Sequence, residues 1–231
     1  MKAILFDCDG TLADSFGLII GTMRQCFAAA GLPVPDDAAT SGVIGLSLDL
    51  AIHQLAPTLQ AEELPRMVAL YKSEFQRVRA AGTFPEALFP GAEDLLRRLA
   101  RREDVLLGMV TGKSRRGVRS VIETHALDGV FAAIRTADDC QSKPHPAMVL
   151  ECCAELGIEP ADCVVVGDAI FDMQMAVSAK ASAIGVSWGA QPVGALTAAG
   201  AGRVAATMGE LSELLEEWLE LRPAFTLETQ V

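Results

Sequence analysis

The first hydrophobic run of the chain, residues 3–6, is short and has no polar break, which is typical of a buried β-strand. It ends at Asp7 and Asp9, and Gly10 follows them as a turn signal. Side chains two positions apart on an extended chain point to the same side, so the two carboxylates should lie together where the strand ends. In an open parallel sheet, ligands bind at this end of the strands. The pattern therefore predicts a site at the end of the first strand.

Hydrophobic residues between about residues 15 and 82 recur at helical spacing, with no strand pattern among them. The spacing predicts a helix that begins near Phe16 and ends near Gly31 and Pro33. It also predicts a second helix over residues 46–55 and a long third helix over residues 64–82. This all-helical segment is therefore an insertion after the first strand, placed to form a lid over the end of that strand.

From about residue 92 the pattern changes to alternating helices and strands, and glycines and prolines at residues 82–91 mark a linker before it. Strands are predicted over residues 105–110, 130–134, 163–166 and 183–186. Repeated βα units with apolar strands imply a mostly parallel sheet that is covered on both faces. We therefore expect an α/β fold, with a doubly wound Rossmann-like parallel sheet core and an inserted all-helical cap domain.

The expected domain division follows this change of pattern. Residues 1–15 and 83–231 should form the α/β core domain, and residues 16–82 the helical cap domain. An amphipathic helix that includes Leu211 and Trp218 is expected to close the core, and the residues after about 222 are expected to form a loose tail.

Composition and charge narrow the functional classes. Hydrophobic residues make up 51% of the 231 residues and charged residues 21%, as in ordinary globular proteins. The net charge of −11 argues against a nucleic-acid or anionic membrane surface, so neither is expected as a partner. The six cysteines form no CxxC pair, and the chain opens without a signal-peptide pattern. We therefore expect a cytoplasmic protein with reduced thiols. No pattern indicates an oligomeric state.

Polar groups also follow two later strands, and between those strands a lysine stands beside prolines that stiffen the chain. A parallel sheet would bring these groups into one crevice with the first two acids: Asp7, Asp9, Thr111, Lys143, Asp168 and Asp172. Carboxylates grouped beside a single lysine repel one another unless a divalent cation lies among them. Oxygen ligands of this kind select Mg²⁺, which is therefore the expected cofactor.

This set has the parts that phosphoryl transfer needs. A carboxylate can act as a nucleophile and form an aspartyl phosphate, which splits one difficult displacement into two easier ones. A second acid can protonate the leaving oxygen and then activate water, a contribution of about 10² to 10⁴ in rate. The cation, the lysine, the hydroxyl group and the backbone N–H groups of a glycine-containing turn can neutralise the phosphoryl oxygens.

Residues 7–15, with the sequence DCDGTLADS, resemble the DxDGTLxDS signature of the haloacid-dehalogenase (HAD) superfamily. Thr111, Lys143 and Asp168 stand where the second, third and fourth motifs of that superfamily are expected, in the same order and spacing. The helical insertion resembles the type 1 cap of the phosphoglycolate phosphatase subgroup. Residues 137–146 are similar to that subgroup too.

The resemblance implies a role for each matching residue. It implies that Asp7 is the nucleophile and that Asp9 is the general acid and base. The implied phosphate-binding residues are Thr111, Gly112 and Lys143. The implied Mg²⁺ ligands are Asp7, the backbone carbonyl of Asp9, and Asp168, with Asp172 steadying the metal or the lysine. The implied function is a Mg²⁺-dependent, phosphoglycolate phosphatase-like enzyme that hydrolyses a small phosphorylated metabolite, a phosphomonoester.

Other functions fit part of the same residue set. A phosphomutase or pyrophosphatase of the superfamily is one alternative, because the cap selects the substrate. A receiver-like phospho-accepting signalling module is another, although it needs neither Asp9 nor a lid. Lys113 could bind phosphate or merely begin a solvated helix, and relatives often carry Ser or Thr where this chain has Ala169. Residues 42–47, with Gly45 at a turn, are the candidate for a substrate-facing loop.

Overall fold

A computed structural model describes residues 1–82 and 86–221 of the chain. The strands are β1 (Lys2–Phe6), β2 (Ala13–Asp14), β3 (Ala87–Leu88), β4 (Val105–Val110), β5 (Ala133–Arg135), β6 (Cys163–Gly167), β7 (Ser182–Val186) and β8 (Arg203–Ala205). The helices are α1 (Phe16–Ala29), α2 (Asp37–Ser41), α3 (Leu48–Leu55), α4 (Leu64–Ala80), α5 (Ala92–Leu99), α6 (Arg115–Thr124), α7 (Ala147–Leu156), α8 (Ile170–Ala179), α9 (Val193–Ala198) and α10 (Met208–Glu220).

The main sheet has β1 near its centre, in the strand order β5-β4-β1-β6-β7-β8, and its strands pair in parallel. Phe6, at the end of β1, is in register with Met109 of β4 and with Val166 of β6. These three strands therefore end at the same edge of the sheet. The residues that follow them in the sequence start from neighbouring positions.

Helices cover both faces of the sheet. Ile4 and Phe6 pack in one hydrophobic cluster with residues of α5 and α10, whereas Ala3 and Leu5 pack in another with residues of α7 and α8. Side chains alternate between the two faces along a strand, which is why neighbours in β1 enter different clusters. The predicted α/β fold with a doubly wound parallel sheet is confirmed.

Helices α1 to α4 form the all-helical insertion that follows the first strand. The apolar faces of α1, α3 and α4 meet in a cluster separate from the two sheet clusters, made of Met23, Cys26, Phe27, Ile52, Ala56, Met67 and Tyr71. The insertion therefore has a small core of its own. The division of the chain at residues 16 and 82 stays a prediction.

Three short features were not predicted from the sequence. Helix α2 is capped by Asp36, whose side chain accepts a hydrogen bond from the backbone N–H of Ala39 at 2.7 Å. Strands β2 and β3 pair antiparallel where the chain leaves the core for the helical insertion and returns from it. Strand β8 extends the sheet at one edge. Strands of two or three residues, and a helix of little more than one turn, are too short for a hydrophobic period to appear.

Some predictions need adjustment. The strand expected over residues 130–134 begins only at Ala133, because a turn occupies residues 128–130. Residues 83–85 of the expected linker and the whole of the expected tail lie outside the described residues. In the described ranges, no helix is both long enough and apolar enough to cross a membrane.

Candidate active site

The parallel register places the predicted site residues at one edge of the sheet. Two acids follow β1, the threonine follows β4, another acid follows β6, a fourth lies in the first turn of α8, and the lysine precedes α7. All of them are buried: Asp7, Asp9, Thr111, Lys143, Asp168 and Asp172. Burying an ionised group costs free energy unless the group is paired, so the partners of each buried acid and of the lysine show how its charge is stabilised.

Lys143 holds two of the acids together. Its Nζ donates to Oδ1 of Asp7 at 2.7 Å and to Oδ1 of Asp172 at 2.6 Å, with all three side chains fully buried. Burial alone would lower the pKa of Lys143, but attraction to Asp172 and Asp7 outweighs it and raises the pKa. The lysine therefore stays protonated and fixes one oxygen of Asp7.

Asp168 is oriented by two donors and two glycines. Oγ1 of Thr11 donates to its Oδ1 at 2.8 Å, and the backbone N–H of Ala190 donates to its Oδ2 at 2.7 Å. A Cβ at Gly10 would lie 2.3 Å from Oδ2 of Asp168, and a Cβ at Gly189 would lie 2.1 Å from its Cβ. Gly10 also has a φ of 87°, which side chains disfavour. The backbone therefore closes tightly around this carboxylate.

The carboxylates of Asp7, Asp168 and Asp172 form one cluster, in which the oxygens available to a metal lie within 4.8 Å of one another. Burial raises the pKa of Asp7 to about 7, although attraction to Lys143 lowers it and repulsion from Asp172 adds to the rise. Burial and the neighbouring acids raise the pKa of Asp168 well above its usual value. Protein groups alone thus leave the charged forms of Asp7 and Asp168 poorly stabilised.

A divalent cation fits this cluster. Oδ2 of Asp7 is buried and, among the described residues, accepts no hydrogen bond, so an oxygen ligand is available there. Both oxygens of Asp172 already accept, Oδ1 from Lys143 and Oδ2 from the backbone N–H of Ala169 at 3.1 Å. Both oxygens of Asp168 accept as well, from Thr11 and Ala190, so only Asp7 offers a cation an unpartnered carboxylate oxygen among the described residues. Ala169 contributes to this arrangement through its backbone.

The metal-free protein is expected to lose stability as the pH rises from 3.8 towards about 7. In this range the folded protein keeps the proton of Asp7, whereas the unfolded chain has released it, so the free energy of unfolding falls with pH. Urea unfolding in EDTA across this range, with Asp7→Asn as the comparison, measures the effect. The variant should show a shallower dependence. Equal slopes for the two proteins would contradict the assignment to Asp7.

Asp9 is held by two donors on the same oxygen. Oγ of Ser15 donates to Oδ1 at 2.6 Å and Nζ of Lys113 donates to it at 2.7 Å. The same Nζ donates to Oε1 of Glu86 at 2.6 Å. The side chain of Lys113 is only 7% exposed, so the interpretation of this residue as the start of a solvated helix is wrong. Glu86 has no sequence signal of its own, because it adjoins an irregular linker.

The cap loop predicted to face the substrate touches the core at Gly112. A Cβ at Gly112 would lie 2.6 Å from the carbonyl oxygen of Gly45 and 2.5 Å from that of Leu46. Gly45 has a φ of 103°, which agrees with the expected turn. The backbone N–H of Ser47 donates to Oγ of Ser142 at 2.8 Å. Only a glycine at position 112 allows the two loops to approach so closely.

A cavity of about 950 Å³ lies between the cap and this edge of the sheet. The residues that line it from the core include Asp7, Asp9, Thr111, Gly112 and Lys113. From the cap it is lined mainly by apolar side chains, including Ile19, Met23, Val68, Tyr71 and Phe75. Oγ1 of Thr111 accepts from the backbone N–H of Lys113 at 3.1 Å, so its hydroxyl hydrogen can be donated to a ligand. The cavity can therefore hold a molecule that presents a hydrogen-bond acceptor to Thr111, beside Asp7 and Asp9.

Known proteins share both the sequence pattern and the fold. The family model described as haloacid dehalogenase-like hydrolase matches residues 4–186. The chain is 32% identical over 198 residues to the probable phosphatase IndB of Dickeya dadantii, covering 85% of each protein. It is 29% identical over 219 residues to a phosphoglycolate phosphatase of Chromobacterium violaceum, covering 94% of this chain and 97% of that protein. The crystal structure of a hydrolase from Pseudomonas syringae matches with a TM-score of 0.83 and 28% identity, over 94% of this chain and 99% of that one.

Proposed function

The chain belongs to the haloacid dehalogenase-like hydrolase family, and we propose that it is a Mg²⁺-dependent phosphatase that hydrolyses a small phosphomonoester. The observation that carries this proposal is the arrangement of the Asp7 carboxylate. It borders the cavity, with Oδ1 bonded to Lys143 and with Oδ2 unpartnered among the described residues. A carboxylate that is fixed and buried in this way can attack phosphorus without competition from water.

The proposed reaction has two steps. Asp7 attacks phosphorus and forms an aspartyl phosphate, while Asp9 gives a proton to the leaving oxygen of the substrate. Asp9 then takes a proton from water, which attacks the phosphorus, releases phosphate and restores Asp7. After each turnover, Asp7 is thus a free carboxylate again and Asp9 again carries its proton.

Other residues are proposed to bind the phosphoryl oxygens. The hydroxyl of Thr111, the backbone N–H of Gly112 and the ammonium of Lys143 would donate to them. These donors are already fixed before substrate binds, which lowers the cost of stabilising charge in the transition state. Lys143 would contact the attacking carboxylate as well as the phosphoryl group, since its Nζ already lies 2.7 Å from Oδ1 of Asp7.

Mg²⁺ is proposed to be held by Asp7, Asp168 and the backbone carbonyl of Asp9. When bound, the ion supplies positive charge that neutralises the phosphoryl oxygens. Asp168 is suited to this role because Thr11 and Ala190 fix its orientation. Asp172 would act indirectly, by keeping Lys143 and the backbone of Ala169 in place.

We expect phosphate release from nitrophenyl phosphate in the presence of Mg²⁺, and a loss of about 10²-fold or more in EDTA. The loss follows because the clustered acids would otherwise repel the substrate dianion. Excess Mg²⁺ added after EDTA should restore the rate, which controls for irreversible damage. Turnover that is unchanged in EDTA would contradict the proposed cofactor.

A panel of phosphorylated metabolites, with phosphoglycolate, sugar phosphates and nucleotides, then separates the candidate functions. The cap resembles that of phosphoglycolate phosphatases, so phosphoglycolate is the first compound to test. Release of phosphate supports the phosphatase. An isomeric phosphate ester without phosphate release would indicate a phosphomutase, and preference for pyrophosphate a pyrophosphatase. A stable phosphoprotein without turnover would indicate a receiver-like module.

A further inference from the structure

Asp9 belongs to a buried network of ion pairs that also contains Lys113 and Glu86. Nζ of Lys113 bridges Oδ1 of Asp9 and Oε1 of Glu86, at 2.7 and 2.6 Å. The side chains of Lys113, Asp9 and Glu86 are 7%, 12% and 8% exposed. Ion pairs this close and this buried are costly to break, because removal of one member leaves another charge unpaired. The three side chains therefore form one buried ion-pair network.

Glu86 is itself anchored from two directions. Nη2 of Arg79, at the end of cap helix α4, lies 4.0 Å from its Oε2 and also donates to Oγ of Ser120 in core helix α6. Nε2 of His125, just after α6, lies 3.0 Å from the backbone oxygen of Glu86. The glutamate is thus fixed at the junction between the cap and the core.

The pairing of Lys113 decides between two roles for it. Lys113 borders the cavity, which by itself would suit a phosphate contact. Its charge, however, is already shared by two carboxylates. Burial alone would lower its pKa, but attraction to groups that include Asp9 and Glu86 raises it instead. A cation neutralised in this way attracts a further anion weakly, whereas it fixes the position of Asp9 strongly.

We propose that Lys113 and Glu86 are positioning residues that hold the carboxyl group of Asp9 at the leaving oxygen of the substrate. This inference rests on the proposed phosphatase function. Lys113 holds Oδ1 of Asp9 directly. Glu86 holds Lys113 so that its ammonium group stays in contact with Asp9. Neither residue exchanges a proton with the substrate in this proposal. Their effect is on the step in which the leaving oxygen receives its proton.

The choice of leaving group tests the proposal. A simple alkyl phosphate needs a proton on its leaving oxygen, whereas nitrophenolate leaves readily without one. We expect Lys113→Met to lower kcat/KM for the alkyl phosphate by about 100-fold, and for nitrophenyl phosphate by less than about 10-fold. The ratio kcat/KM covers the steps up to the release of the alcohol, so hydrolysis of the phosphorylated enzyme does not enter it.

Glu86→Gln provides a second variant that preserves shape and one acceptor oxygen. It should lower kcat/KM for the alkyl phosphate selectively, by about 10-fold. Glu86→Ala should cause a larger selective loss, so that glutamine partly rescues the effect. Glu93→Gln is the control, because Glu93 is paired with Arg97 at 2.8 Å on the surface of α5, outside the site. It should leave the ratio between the two substrates unchanged.

Each outcome supports or overturns the positioning role of Lys113 and Glu86. Selective loss on the alkyl phosphate supports the positioning role. Equal losses of kcat/KM on both substrates would overturn it and indicate a structural role or a phosphate contact. Thermal unfolding of each variant identifies losses that come from unfolding, and Glu86→Gln keeps the test valid if Lys113→Met fails to fold. If the unaltered protein hydrolyses neither substrate, it is the proposed phosphatase function that fails, and this inference with it.

Discussion

An Asp7→Asn protein is expected to release phosphate at least about 10⁴-fold more slowly than the unaltered protein. The neutral amide is a poor nucleophile, so the aspartyl phosphate cannot form. The substitution keeps the shape of the side chain, and an amide oxygen can still accept from Lys143 at the position of Oδ1. Steady-state phosphate release at saturating Mg²⁺ measures the effect.

The loss of activity in Asp7→Asn should not come from unfolding. Burial raises the pKa of Asp7, which means that the charged carboxylate is unfavourable in the metal-free fold. The neutral amide should therefore leave the melting temperature in EDTA equal to or above that of the unaltered protein. Asp128→Asn, in an exposed loop, is the matched control and should retain full activity. Turnover by Asp7→Asn close to that of the control would refute the nucleophile.

Lys143→Met is expected to cost about 3 to 5 kcal/mol of unfolding free energy, in addition to activity. The lysine is the cation that both Asp7 and Asp172 contact, and all three are fully buried. Its removal leaves two carboxylates facing each other without compensation. For a chain of this size, the loss corresponds to a fall of about 6 to 20 °C in melting temperature.

Denaturant unfolding in EDTA and in Mg²⁺ measures this cost. Mg²⁺ should restore part of the stability, because a cation beside Asp7 offsets some of the repulsion. Lys180→Met, which removes an exposed lysine at the end of α8, should change the unfolding free energy by less than about 0.5 kcal/mol. If Lys143→Met unfolds at the same denaturant concentration as that control, the lysine does not hold the acids together as described.

Much of the site could be predicted because it follows strand ends. Asp7, Thr111 and Asp168 each come soon after a strand with a clear apolar pattern, and parallel register brings such positions together. The sheet and the helical insertion were predicted for the same reason, since long periodic segments carry a strong signal. The catalytic and ligand roles of these residues stay predictions.

Glu86 shows why the rest could not be predicted. Its partner Lys113 lies 27 residues further along the chain, and neither residue belongs to a periodic pattern. The pairing depends on how the chain returns from the cap, through the short pairing of β2 with β3. Contacts of this kind are set by tertiary packing and leave no local sequence signal.

The cap loop stands between these two cases. The turn at Gly45 was predicted from its glycine, and the structure places this loop against Gly112 and on the wall of the cavity. Its contact with a substrate stays a prediction. The apolar side chains that line the cap side of the cavity are typical of helix packing, so their sequence spacing does not distinguish them from core residues.

Trapping of the phosphorylated enzyme tests the central claim most directly. The protein is mixed with nitrophenyl phosphate and Mg²⁺, quenched in acid during turnover and reduced with borohydride, which converts an aspartyl phosphate to homoserine. Peptide mass spectrometry then identifies the converted residue. The proposed mechanism predicts homoserine at position 7 and none in the Asp7→Asn protein. Rapid turnover with no conversion at Asp7, or conversion at another aspartate, would contradict it.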